Sequence, residues 1–397
     1  MIEPIAITIF IICVLLIAHS YVFYPFLLKI FSANKNENKI LFAGSELPDV
    51  IIFMAAYNEE KVIADKINSV IQSDYPKGKI QLWIGSDNST DQTNAIIMDY
   101  ASKLSWIKFF PFHERNGKTG IINFLNRKFL EDFPESERAK MVLILTDANV
   151  LFDKHCIQNL SKHFRNDAIG QVGANILNSG LRVDGISEQE NSYIQRENEI
   201  KYQEGLFEKM QGAFGGCYAI RAHLLPIVPS NFLMEDFYIS MSVLANNYAS
   251  IFAKNAVCYE DVSNEVTEEF KRKTRISTGN FQNLSVYWSL LFRFDTNAFF
   301  FFSHKVLRWI TPFLMILCLF ASAMLTHLTL FRWLFITQLL LMIFPLIDLL
   351  LKRLGVHIRL LRLIAYFYSM NLALIYGFYK YIIGVETSAW TPTKRNL

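Results

Sequence analysis

Asp147 and Asn149 stand two residues apart in Thr146-Asp147-Ala148-Asn149, directly after the branched apolar run Val142-Leu143-Ile144-Leu145. That run predicts a short strand buried on both faces. In open α/β sheets, ligands bind just beyond the carboxyl ends of the strands. A carboxylate and an amide there can reach the same side of a ligand, and two such oxygens suit a hard cation held between protein and phosphates. Asp and Asn also favour plain turns, so the pattern gains weight from its company. Ala55-Ala56-Tyr57-Asn58-Glu59-Glu60 follows another apolar run and either starts a helix or presents its acids to a ligand. Ser86-Asp87-Asn88-Ser89-Thr90-Asp91 is either a cap or a place for Asp87 to hydrogen-bond a base or ribose. Asn116-Gly117-Lys118 is either a solvated turn or a phosphate site, with Lys118 acting as a point charge.

The elements that must position these groups follow from periodicity. Residues 50–55, 80–85, 107–112 and 142–145 read as strands, and 61–72, 92–104 and a stretch through Phe129 read as helices. Strands alternating with helices predict βαβ units and a parallel sheet. Polar residues at each strand's carboxyl end then converge on one edge. No GxGxxG follows the first strand and no GxxxxGK[ST] occurs, so the dinucleotide and P-loop readings fail. A GxSxG nucleophile elbow is also absent.

Composition separates the rest of the chain from this core. Its 397 residues allow two or three structural units. The 39 basic and 36 acidic residues leave a net charge of +3, which gives no support to a nucleic-acid binder. Cys13, Cys156, Cys217, Cys258 and Cys318 form no CxxC pair, so reduced thiols in a cytosol-facing protein are expected. Residues 5–28 carry no charge and are long enough to span a bilayer, with Lys29, Lys35 and Lys39 after them placing the next segment in the cytosol. Residues 310–331, 333–351 and 363–383 are further spanning candidates, and an aromatic stretch at 286–305 suits the membrane surface. The three spans after the soluble domain would place the tail outside, against the preference of Lys394 and Arg395 for the inside, unless one segment is re-entrant or interfacial. The expected division is 1–47 (anchor and basic linker), 48–285 (soluble domain), 286–305 (interfacial segment) and 306–397 (membrane helices and tail).

Taken together, Tyr57-Asn58-Glu59, the 86–91 stretch, Gly117-Lys118, Thr146–Asn149, Glu235-Asp236 and Arg272-Lys273-Thr274-Arg275-Ile276 resemble the membrane-integrated family 2 glycosyltransferases. These are relatives of the cellulose, chitin and hyaluronan synthases. The resemblance covers about residues 48–285, and the ending Trp390-Thr391-Pro392-Thr393-Lys394-Arg395 is similar to a tail common in the group. It implies a cytosolic GT-A domain of α/β type, with a mostly parallel sheet, joined to transmembrane helices.

The resemblance also implies roles. Tyr57, Glu59 and Asp87 would hold the nucleotide, and Lys118 would lie near the diphosphate. Asp147 and Asn149 fall on the family's DxD positions and would share a divalent cation, Mg²⁺ or Mn²⁺. Gly215, Gly216 and Cys217 resemble the strand lining the acceptor side. Asp236, with Glu235 beside it, falls where the catalytic base stands, and adjacent carboxylates repel in a way that raises one pKa. Arg272 and Arg275 would balance the leaving diphosphate. Ile276 stands where the family's QxxRW motif has its Trp, which argues against processive polymerisation. The expected activity is therefore inverting transfer from a nucleotide-sugar, UDP-linked by preference, to a lipid-linked or saccharide acceptor in envelope or exopolysaccharide synthesis. A processive synthase and a non-catalytic nucleotide-sugar-binding scaffold are the alternatives. The expected setting is the inner membrane, multi-pass, among membrane lipids and with partner subunits of an export pathway.

Overall fold

Val50–Ala56 (β1) contains only apolar side chains, and all seven residues are buried. With no polar side to turn outward, such a strand must lie inside a sheet covered on both faces. It pairs in parallel with Ile80–Ser86 (β2) on one side and Val142–Asp147 (β4) on the other, and β2 pairs in parallel with Ile107–Pro111 (β3). The computed structural model describes residues 2–179, 187–261, 266–354, 356 and 358–388. Val150–Phe152 (β5), Ile169–Ser179 (β6), Cys217–Arg221 (β7) and Ala249–Asp261 (β8) complete the sheet. Its order among the described residues is β3-β2-β1-β4-β7-β6-β8-β5. β7 runs antiparallel to both β4 and β6, β8 runs parallel to β6, and β5 runs antiparallel to β8.

Strand alternation divides the core into two layers. Ile52, Met54, Ile144 and Ala219 face one layer, while Ile51, Phe53, Leu143, Leu145 and Ile220 face the other. The helices Ile63–Ile71 and Gly117–Asp132 follow β1 and β3 as the periodicity predicts.

The chain divides into two units: Met1–Ile30 with Val266–Gly384, and Phe31–Glu265 with Val385–Leu397. The second holds the sheet. Val266–Tyr287, which the expected division assigns to the soluble domain up to residue 285, is a helix that packs on Arg359–Ile383. Ser277 and Thr278 donate hydroxyl protons to the carbonyls of Leu374 and Gly377, at 2.9 and 3.1 Å. Val385 belongs to the sheet unit, where its carbonyl accepts from Asn231 Nδ2 at 3.3 Å.

In the helical unit, four helices are long and apolar enough to cross a membrane: Ile2–Ser32, Thr296–Met324, Thr329–Leu351 and Arg359–Ile383. The second begins at Thr296, inside the aromatic stretch expected to be interfacial, so only Trp288–Phe292 forms a separate short turn there. Two π-helical turns, His19–Phe23 and Phe301–Val306, meet within this unit. Ser20 Oγ donates to the Ser303 carbonyl at 3.0 Å, and the Tyr24 ring stacks on His304. Trp390–Arg395, the tail motif, lies outside the described residues.

Candidate active site

Four strand ends bring the predicted residues to one edge of the sheet unit. The ends of β1 and β2 are stitched together first. Asn58 adopts φ +52° and Asn88 φ +58°, a left-handed conformation that Asn tolerates better than most residues. Asn58 Oδ1 accepts the Thr90 amide at 2.8 Å, and Thr93 Oγ1 accepts the amide of buried Glu59 at 2.8 Å.

Asp87, at the end of β2, is fully buried yet ionically satisfied. Its Oδ1 accepts the Asn116 amide at 2.6 Å, and its Oδ2 accepts the Gly117 amide at 3.1 Å and Arg115 Nε at 2.9 Å. Gly117 has φ +72°, a backbone state that a side chain would strain, and this turns its N–H toward the carboxylate. The Arg115 guanidinium also lies 3.3 Å from the centre of the Tyr57 ring. Tyr57 and Asp87 thus come together around Arg115, a residue assigned no role in the sequence analysis. Its position one residue before Asn116-Gly117-Lys118 was the available signal.

One residue beyond Gly117, the same helix start delivers Lys118 to a second cluster. Lys118 Nζ lies 2.7 Å from Asp147 Oδ1 and 2.7 Å from Glu235 Oε1. Burial works against its charge, but Asp147, Glu235 and Asp236 outweigh it and hold Lys118 above the ordinary lysine range. Asp236, buried beside Glu235 at the start of the helix Glu235–Ala245, is pushed up to about 6 by burial first and by the Glu235 charge second. Gly215 makes room for it, since a Cβ there would lie 2.6 Å from Asp236 Oδ2.

Asn149, just before β5, faces Glu260 of β8 through its Nδ2 at 3.4 Å, which directs the amide nitrogen there and leaves the amide oxygen as the donor atom. A carboxylate at 147 and an amide oxygen at 149 form a hard oxygen set that fits a divalent cation. Lys66 braces the turn from below. It is fully buried and donates to Thr146 Oγ1 at 2.9 Å and to the Val150 carbonyl, one residue either side of the Asp147–Asn149 pair. Burial pushes its ammonium down to about 8.

Two groups of expected site residues have other surroundings in the structure. Strand alternation turns the Cys217 thiol into the core, where it is fully buried. Tyr218, the next residue on β7, takes the opposite face. Its buried hydroxyl has no hydrogen-bond partner among the described residues, and burial and the Glu235, Asp236 and Asp147 charges push it upward. Sequence alone gave Tyr218 no distinguishing mark. Arg272 and Arg275 lie on Val266–Tyr287 of the helical unit. Arg272 is engaged there by both oxygens of Glu269, at 2.8 and 2.9 Å, within its own helix. The expectation that it serves the donor diphosphate therefore competes with a bidentate ion pair.

The profile of glycosyl transferase family 2 matches residues 51–226, and that of glycosyl transferase family group 2 matches residues 142–379, more than half of the chain. A probable glycosyltransferase, YdaM, of Bacillus subtilis is 33% identical over 86 residues, 22% of this chain and 20% of its own length. A beta-monoglucosyldiacylglycerol synthase of a Nostoc species is 38% identical over 79 residues, 19% of this chain and 17% of its own. The matches thus span about a fifth of each relative. The solved mannosyltransferase PcManGT of Pyrobaculum calidifontis, in complex with GDP-Man and Mn2+, superposes with a TM-score of 0.66 at 17% identity, covering 96% of this chain and 99% of its own. That superposition shows a shared GT-A fold. With the larger profile matched over most of the sheet and the helices beyond it, the chain belongs to glycosyl transferase family group 2.

Proposed function

We propose that the protein transfers a sugar, with inversion, from a nucleotide-sugar to an acceptor at the membrane surface. The observation that carries this reading is the start of the helix Gly117–Asp132. Within four residues, Arg115 to Lys118, it joins a nucleotide-type cluster (Tyr57, Asp87) to a cluster of carboxylates around one ammonium (Asp147, Glu235, Asp236). The first suits a base and ribose and the second a diphosphate and reacting centre.

In this reading Tyr57, Glu59 and Asp87 bind the nucleoside, and Lys118 moves to the diphosphate when the donor enters. Asp147 and the oxygen of Asn149 would hold a divalent cation, Mg²⁺ or Mn²⁺, which when bound supplies positive charge to the diphosphate. Asp236 accepts the proton of the acceptor hydroxyl as that oxygen bonds to the anomeric carbon and the bond to the diphosphate breaks. One displacement with one base gives inversion and requires no covalent enzyme adduct. Gly215 and Gly216 leave room on the acceptor side.

The apolar helices, and the lipid product named for the Nostoc relative, support a lipid-linked acceptor. They also support a multi-pass membrane setting with a cytoplasmic sheet unit, serving envelope or exopolysaccharide synthesis. Ile276 in place of an aromatic platform favours single transfer over polymerisation. A donor screen by thermal stabilisation, with and without Mg²⁺ or Mn²⁺, identifies the nucleotide-sugar. Transfer by the Asp236→Asn variant should then fall by about 10²–10⁴-fold. Unchanged turnover would remove Asp236 as the base.

A further inference from the structure

Below the carboxylate site the described residues contain a second concentration of reactive groups. Cys156 opens the helix Cys156–Ser161, Cys217 opens β7, and Cys258 lies within β8. All three are fully buried, and their sulfurs lie within 4.8 Å of one another, with Cys156 and Cys258 at 4.0 Å. Buried thiols often serve simply as small apolar groups. Here, however, they share their surroundings with an ammonium. Lys66 is fully buried, its hydrogen bonds go to a hydroxyl and a carbonyl, and its Nζ lies 3.3 Å from the centre of the Phe152 ring. A buried cation satisfied only by neutral groups is costly unless negative charge lies close by. Cys156, Cys217 and Cys258 lie close enough to act on that charge, as does Asp147.

We propose that Cys156, Cys217 and Cys258 bind one thiophilic d¹⁰ cation of the Zn²⁺ class, with Lys66 as the counter-ion of the complex. The spacing is close to what such an ion requires, since sulfurs at about 2.3 Å from one metal stand roughly 3.8–4.0 Å apart. The site therefore closes with sulfur movements of less than about 1 Å. Charge balances too. The ion displaces three thiol protons, three thiolates and a double positive charge leave one negative charge, and the Lys66 ammonium cancels it. Sulfur ligands select a different metal from the oxygen pair at Asp147 and Asn149, so the two sites do not compete.

The ion would tie β7, β8 and the helix after β5 together directly beneath the reacting groups. Cys217 adjoins Gly216, whose carbonyl accepts the Asp147 amide at 3.1 Å and the Thr146 hydroxyl at 2.9 Å. Cys258 lies two residues before Glu260, the partner of Asn149. The role assigned is a structural staple under the donor turn, with no part in the transfer itself.

Elemental analysis of the intact, detergent-purified chain grown with zinc and passed through chelator-treated buffer tests the proposal. About one zinc per chain is expected in the wild type and in Asp147→Asn, and background zinc in Cys156→Ala/Cys258→Ala. Cadmium titration of the wild type should give a thiolate-to-cadmium charge-transfer band that saturates at about one equivalent. Because the double variant could fail to fold, the wild-type band and its stoichiometry decide the matter by themselves. A folded wild type with background zinc and no cadmium band overturns the site. So does zinc that survives in a folded double variant, or a wild type whose Cys156 and Cys258 are isolated as a disulfide.

Discussion

In the proposed transfer, Asp236 is the residue whose protonation decides the rate. Its carboxyl rises from 3.8 to about 6. The folded state therefore holds a proton there that the unfolded chain has already released, and this contribution to stability is lost as pH rises through that window. Activity runs the other way, since a base must be ionised. The transfer rate should rise with pH through a limb near 6, and Glu235→Gln should move that limb to lower pH by removing a neighbouring negative charge. A rate profile flat across pH 5–7 would contradict this. Sequence showed which residues could serve here because acids and amides at strand ends are visible locally. It could not show that one ammonium, Lys118, would sit between Asp147 and Glu235, nor that Arg115 would clamp Asp87 against Tyr57. Those pairings are made by the fold, across long separations in the chain.

At the scale of elements, short and mostly apolar runs announced β1, β2, β3 and β4 nearly to their ends. β6 and β7 were far less legible. Gly170, Gln171, Gly173 and Asn175 interrupt the apolar pattern of β6, and β7 is only five residues long with a glycine pair before it. The helix Thr296–Met324 began earlier than hydropathy suggested because His304, Lys305 and Arg308 dilute its first half. Where β7 meets the helix Glu235–Ala245, the approach of Gly215 to Asp236 makes a specific demand. Gly215→Ala puts a methyl against the carboxylate, so transfer should fall by about tenfold or more, a loss of roughly 1.4 kcal/mol in transition-state stabilisation. Because Gly215 lies at the site edge and not within a strand, melting temperature should change little. A variant with unaltered kcat and KM would show that Asp236 can move aside at no cost to the chemistry.

For the whole molecule, the division into a sheet unit and a helical unit was legible from composition, since apolar runs and alternating βα periodicity do not overlap. The boundary was not, because Val266–Tyr287 begins with charged residues that read as part of the soluble domain and yet packs with the apolar helices. The Asn231–Val385 hydrogen bond makes the chain after the last helix part of the same unit that it left at Glu265. A polypeptide that departs from one face of a bilayer and returns to it has made an even number of passages. Three candidate helices lie between those points, so in the proposed membrane setting they cannot all cross. Arg359–Ile383 is the least apolar of the three, at a mean hydropathy of 1.3, and packs along Val266–Tyr287. A single cysteine placed at Glu386, in a chain whose native cysteines are accounted for, should react with an impermeant reagent only from the face exposed to the sheet unit. Labelling from the opposite face would mean that all three helices cross. If the count is even, the basic tail and the carboxylate site share one compartment, and the charge conflict noted for Lys394 and Arg395 disappears.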